Sequence, residues 1–401
     1  MNYPVTLSKR ALSMPPSPIR KLVPLADAAK AQGVKVYHLN IGQPDIPTPP
    51  AMFDAAAHFH EDVLAYGRSE GEIDLRDEIA RYYGEKGVVV DRKQIMITTG
   101  GSEAIIFAMA SVCDDGDEIV VFEPFYTNYN GFSHLTGVRL SPVACKVEDG
   151  FALPPDEVIK NAITPKTKAI MLCNPNNPTG TVYPRHDLER IARLCLELGF
   201  FLLADEVYNE FIYDGEKHAS ALELEGLDDR VVVMDSISKR FSACGARVGN
   251  LVTRNADLMS AFIRFGQARL CPPRLEQAMA VAAYRLPREV SIAPHIAEYD
   301  RRRKYMINRL QTMQGVVAPM PKGAFYTICK LPVTDADKFA AWLLTDFRHN
   351  NETVMVAPAS GFYATHGRGC DEVRIAYVLK EQELAGAMDC LEEALKVYAG
   401  K

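Results

Sequence analysis

Ser236, Ser238, Lys239 and Arg247 crowd into one stretch, VVVMDSISKRFSACGARVGN, between Val231 and Asn250. A lysine amine that has lost its proton condenses with a carbonyl to form a Schiff base. Desolvation or a neighbouring cation lowers the amine pKa far enough to allow this, and Arg240 and Arg247 are near enough in sequence to supply the cation. Serine hydroxyls and the planar arginine fork suit a phosphate. The stretch can therefore serve a phosphate-bearing carbonyl compound. Taken alone, Lys239 is more simply another lysine on a solvated loop, so its chemistry needs partners elsewhere.

The elements that must position these groups alternate between strand and helix. Residues 231–234 form an apolar run suited to a strand buried on both faces, which leaves Lys239 just past its carboxyl end. Residues 94–99 read as a strand, and Gly100-Gly101-Ser102-Glu103 leads from it into an apolar helix over 104–112. Bare amides at such a helix start bind anions; Ser102 as a plain N-cap is the competing reading. A strand over 168–173 ends in Asn174-Pro175-Asn176-Asn177-Pro178-Thr179-Gly180, and one over 200–204 ends in Asp205-Glu206-Val207-Tyr208. A buried carboxylate is costly unless paired, and a protonated pyridine nitrogen is a fitting partner for Asp205; an aspartate opening a turn is the plainer alternative. Asn177 and Tyr208 can donate to a phenolate-type oxygen, or be ordinary loop residues. Gly42, before Gln43-Pro44, makes a turn or lets backbone approach a ligand.

Strands over 118–122 and 138–143 and helices over 126–135, 155–161 and 184–198 complete the alternation. It implies an α/β fold with a doubly wound, mainly parallel sheet, in which ligands sit outside the carboxyl ends of the strands. Gly101, Asn177, Asp205 and Lys239 all fall at such ends. Further on, helices are expected over 256–267, 275–285 and, highly charged, 288–311. Strands over 325–329, 354–357 and 372–376 with helices over 336–347 and 381–398 make a smaller α+β unit. The expected division is an N-terminal arm over 1–45 that joins the small domain, a large domain over 46–290, and a C-terminal small domain over 291–401.

Composition narrows the class. A chain of 401 residues has room for two large cores. A net charge of −6 argues against a nucleic-acid binder. No apolar run approaches the ~20 residues that span a bilayer, and the first twenty residues have no signal-peptide core. Nine cysteines without C-x-x-C spacing suggest neither a disulfide framework nor a metal site; small buried residues in a reducing cytoplasm is the expectation.

Four motifs then carry a resemblance in order along the chain: N-P-N-N-P-T-G (174–180), D-E-V-Y (205–208), S-I-S-K (236–239) and G-A-R-V-G (245–249). Together they resemble the class I, aspartate aminotransferase-like enzymes that depend on pyridoxal 5'-phosphate. These share fold type I, with a seven-stranded sheet in the large domain. The resemblance implies that Lys239 holds the cofactor as a Schiff base and shuttles a proton between the substrate Cα and cofactor C4′. It implies that Asp205 pairs with the pyridine nitrogen, and that Asn177 and Tyr208 hydrogen-bond the phenolic oxygen. Gly101, Ser102, Ser236, Ser238 and Arg247 would cradle the phosphate, with Tyr126 stacked on the ring. Tyr66 would reach the phosphate of a neighbouring subunit, so a homodimer is implied. Arg374 would clamp the substrate α-carboxylate, and Gly42 would lie over the substrate. The implied reaction is ping-pong transfer of an amino group from an L-amino acid, aspartate-type or other, to a 2-oxo acid such as 2-oxoglutarate. A lyase or decarboxylase on the same fold is the alternative. Some aspartate-specific relatives have a lysine after the Gly-Gly pair, whereas this chain has Ser102; that departure bears on substrate choice.

Overall fold

The structure, a computed structural model, describes residues 6–398. Its strands in chain order are β1 (Lys35–His38), β2 (Ile95–Thr99), β3 (Glu118–Glu123), β4 (Arg139–Ala144), β5 (Thr167–Cys173), β6 (Phe201–Asp205), β7 (Val231–Ser236), β8 (Val248–Val252), β9 (Tyr326–Lys330), β10 (Glu352–Met355), β11 (Ala357–Pro358) and β12 (Glu372–Ala376). A seven-stranded sheet runs in the order β2-β8-β7-β6-β5-β3-β4. All neighbours are parallel except β8, which is antiparallel to both β2 and β7. That one reversal has a consequence for chemistry. It brings the start of β8, and Arg247 just before it, to the edge where β2, β5, β6 and β7 end.

Both faces of this sheet are covered, which explains its apolar runs. On β7, Val231 and Val233 point into one core while Val232 and Met234 point into the other. Ile95 and Ile97 oppose Met96 in the same way on β2. The first core is closed by helices Ile73–Glu85, Arg185–Leu198 and Arg274–Tyr284, the second by Gly100–Val112, Asn128–Thr136 and Ala256–Arg269. Each β7 side chain so buried contributes roughly 1.5–3 kcal/mol, so the strand that leads into Lys239 is firmly held.

A third core gathers the N- and C-terminal parts. β1 pairs in parallel with β10, Lys35 opposite Glu352, so the N-terminal segment adds a strand to the C-terminal unit. β9 lies between Val317 and β12 in register, and β11 extends the sheet on the far side of β12. The charged helix expected over 288–311 is two helices, Arg288–Ser291 and Ala293–Thr312, broken at Ile292. Pro294 causes the break: it has no amide hydrogen to continue a helix and is tolerated only in the first turn of the next. The remaining expected helices stand within a few residues of their predicted ends, and Glu381–Tyr398 matches at both.

Candidate active site

A cavity of about 420 Å3 opens where the seven-stranded sheet meets the third core. Lys239 lies on a helical turn, Ile237–Arg240, rather than in an open loop. Ser236 caps that turn, accepting from the Ser238 amide at 3.1 Å. The Ser236 hydroxyl is fixed to Val248 O at 2.9 Å, which ties β7 to β8 beside the cavity. Lys239 Nζ donates to Gly42 O at 3.0 Å and lies 3.6 Å from Cys244 Sγ. No carboxylate pairs with this amine among the described residues.

Arg240 is not the cation that the sequence allowed it to be. One position along a helical turn rotates a side chain by about 100°, and Arg240 points away from Lys239 into the core, 1 % exposed. It donates to Asp235 at 2.6 Å, Asn209 at 2.9 Å and the Tyr284 hydroxyl at 2.7 Å. Arg247 remains as the cavity's cation on this side. Its backbone is left-handed (φ 53°) and its guanidinium lies over Gly100. Gly100 itself has φ +74°, and a Cβ there would come within 2.3 Å of Arg247 Nη2. Gly100, not Gly101, is thus the glycine the geometry requires; a Cβ on Gly101 would find ordinary room. The helix begins at Gly100 with Thr99 as its N-cap, so Ser102 is not the cap. Ser102 stands in the first turn and lines the cavity with Gly101.

Asp205 ends β6 and is 4 % exposed. Burial pushes its pKa up to about 6, against hydrogen bonds from the Tyr129 hydroxyl and the Val207 amide. Tyr129 donates at 2.7 Å and Val207 at 3.3 Å. Arg374 is buried in β12, 2 % exposed. It donates to Asn40 O at 2.6 Å and to Asn177 Oδ1 at 3.2 Å, between the rings of Tyr326 and Phe362. Its Nε and the Asn40 Nδ2 are buried without a hydrogen-bond partner. Burial lowers the Arg374 pKa, partly offset by the tyrosines around it. Tyr208 and Tyr326 share a hydrogen bond of 2.9 Å, and Tyr326 also donates to Gly42 O at 3.2 Å. A Cβ on Gly42 would fall 1.7 Å from the Tyr326 hydroxyl oxygen, so only glycine lets the chain pass here.

Of the residues picked from sequence, Gly42, Gly101, Ser102, Tyr126, Asn177, Asp205, Tyr208, Ser236, Ser238, Lys239, Arg247 and Arg374 all line this one cavity. Tyr66 does not; it is 78 % exposed on the surface. Asn40, Tyr129, Cys244 and Tyr326 were missed. Asn40 is a polar residue in an apolar run two places before Gly42, which is a usable signal; the others show none without the fold.

A lysine amine, a buried carboxylate and an open helix start, meeting at the carboxyl edge of a doubly wound sheet, define a fold type I enzyme of the pyridoxal-phosphate class. The chain belongs to the family of class I and II aminotransferases, whose model matches residues 34–391. It is 34% identical to aromatic-amino-acid aminotransferase 2 of Thermococcus litoralis, over 98% of this chain and 99% of that one. It is 33% identical to an aspartate aminotransferase of Pyrococcus abyssi over the same shares. The solved alanine aminotransferase of Pyrococcus furiosus superposes with a TM-score of 0.89 at 30% identity, over 98% of this chain and all of that one. The protein is a transaminase, and enzymes of this family use pyridoxal 5'-phosphate. The residues present fit that group. Asp205 is a buried carboxylate whose charge burial disfavours, which a cationic ring N–H would restore. The first helical turn after Thr99, the Ser238 hydroxyl and Arg247 provide donors for a phosphate on the adjoining wall. Among the described residues no helix is long and apolar enough to cross a membrane.

Proposed function

We propose that the protein moves the α-amino group of an L-amino acid to a 2-oxo acid such as 2-oxoglutarate, in two half-reactions at this one cavity. The carrying observation is that Lys239, on the turn after β7, and Arg374, in β12, both bond to one short segment: Lys239 to Gly42 O and Arg374 to Asn40 O. That segment sets the amine and the guanidinium at a defined separation. Pyridoxal phosphate, when bound, supplies the electron sink for charge developing at the substrate Cα. Arg374 holds the substrate α-carboxylate in its planar fork. Lys239 anchors the cofactor and moves the proton at the substrate Cα. Asp205 keeps the ring nitrogen protonated, Asn177 and Tyr208 hold the phenolic oxygen, and Tyr126 covers the ring. Gly101, Ser102, Ser236, Ser238 and Arg247 hold the phosphate, and Gly42 closes over the substrate.

The same reading divides the chain into a large domain over 46–290 and a small one built from 1–45 and 291–401; the third core, drawn mainly from the terminal segments, supports it, although Tyr208, Phe211 and Tyr213 join that core and Ala357, Ala359 and Phe362 join the first. It also makes the protein a cytoplasmic homodimer. Support for the dimer comes from the exposed apolar side chains Val63 and Leu64, close in sequence to the outlying Tyr66, which a second copy would cover while its cavity received that tyrosine. Incubating holoenzyme with single amino acids and no acceptor tests the chemistry. About one 2-oxo acid per subunit is expected; continuous product without an acceptor would mark a lyase or decarboxylase instead.

A further inference from the structure

Glu123 is a buried carboxylate that does not line the cavity. It ends β3 and is 1 % exposed. Burying a charge is costly unless it is paired or hydrogen-bonded, and the bonds that Glu123 makes are specific. Its Oε2 accepts from the Ala364 amide at 3.0 Å and from the Thr365 amide at 3.1 Å. Its Oε1 makes no hydrogen bond, although Arg368 Nε stands 3.4 Å away on a half-exposed side chain. Two residues further on, the Phe125 amide donates to Phe362 O at 2.9 Å. The end of β3 therefore grips residues 362–365 at three points.

Those residues lie between β11 and β12, in the C-terminal part of the chain, yet Phe362 and Tyr363 pack in the first core. Other side-chain bonds of the segment stay within that part: Ser360 Oγ donates to Asp337 at 2.6 Å, and the Tyr363 hydroxyl to Glu372 at 2.6 Å. Among the described residues, its hydrogen bonds to the seven-stranded sheet are those at the end of β3. Phe362 carries the consequence. Its ring centre lies 4.9 Å from Arg374 Cζ, and the Tyr326 ring centre lies 4.5 Å from the same atom. Both are within the reach of a cation–π contact.

We propose that Glu123 is a positioning residue for Arg374: by holding the Ala364 and Thr365 amides it keeps the Phe362 ring against the guanidinium, and so sets that guanidinium relative to the sheet that leads into Lys239. This rests on the reading of Arg374 as the partner of the substrate α-carboxylate. A planar fork binds a carboxylate bidentately only in a narrow range of orientations, and a ring against its face limits that range. Every α-amino acid presents the same carboxylate, so loss of the anchor weakens all of them alike. Proton transfer at Cα belongs to Lys239 and is spared.

Glu123→Ala removes both acceptor oxygens, whereas Glu123→Gln keeps one, and one oxygen already serves both amides. In half-reactions of holoenzyme with aspartate, alanine or phenylalanine, Glu123→Ala should raise the apparent dissociation constant about fivefold or more for each, with the limiting rate within about twofold of wild type. Glu123→Gln should return the constant to within about twofold of wild type. Hydrogen exchange on the cofactor-free proteins reads the anchor without turnover: the Ala364 and Thr365 amides should exchange about tenfold faster or more in Glu123→Ala, with the β3 amides unchanged. Unchanged dissociation constants, a rise for one amino acid alone, no rescue by glutamine, or exchange that is unchanged or faster throughout β3 would each overturn the assignment. Two other results fall on the underlying reading instead: wild-type holoenzyme that converts no amino acid to its 2-oxo acid, and an Arg374→Lys variant that binds every amino acid as wild type does.

Discussion

Asp205→Asn removes the one carboxylate that lines the active-site cavity. In the cofactor-free protein that carboxyl titrates near 6 rather than at its ordinary 3.8, because burial disfavours its charge. The native state therefore holds the proton more tightly than the unfolded chain, and stability falls as pH rises from about 4 to about 6, then stays low. At about 1.4 kcal/mol per tenfold, the charged carboxylate costs about 3 kcal/mol above pH 7. Asparagine carries no such cost. It can still accept from Tyr129, but its amide cannot also accept from the Val207 N–H, a loss of about 1 kcal/mol. The cofactor-free variant should therefore be more stable than wild type by about 2 kcal/mol at pH 8, with the gain gone or reversed at pH 4. Urea unfolding of both cofactor-free proteins at the two pH values measures this. Cofactor affinity should move the other way, falling about 100-fold or more, as expected when one member of a buried ion pair is removed. A variant no more stable than wild type at pH 8, or a difference that does not change with pH, would refute the reasoning.

Arg374→Lys replaces a fork that spans Asn40 O and Asn177 Oδ1 with a single point charge. We expect kcat/KM to fall about 10–100-fold for every amino acid alike, as the loss of a charged hydrogen bond would give; a fall confined to one substrate class would mean that Arg374 reads the side chain. Gly42→Ala forces Tyr326 aside and with it the carbonyl that receives both Tyr326 and Lys239. A destabilisation of about 1–3 kcal/mol and a lower kcat are expected by denaturant titration and steady-state kinetics, and unchanged values for both would contradict the packing described.

Much of the sheet was legible because its strands are buried on both faces and therefore read as unbroken apolar runs, as 231–234 does. The strand ends were legible too, since Asp205 and Lys239 are polar residues placed abruptly after such runs. The reversed direction of β8 was not, because an apolar run looks the same in either direction. Arg240 shows a second limit. Two adjacent basic residues are indistinguishable in a sequence, yet a helical turn sends one to the cavity and buries the other on Asp235. Tyr326 and Tyr129 act through contacts with residues far along the chain, and no local pattern announces such partners. The helix break at Ile292 could have been anticipated from Pro294, which the charge pattern around it obscured.

The most direct measurement is borohydride reduction of holoenzyme followed by peptide mapping by mass spectrometry. The account predicts a pyridoxyl group on Lys239 and on no other side chain, and no label in Lys239→Ala. A label on another lysine, or none on Lys239 in protein that retains its cofactor, would contradict it.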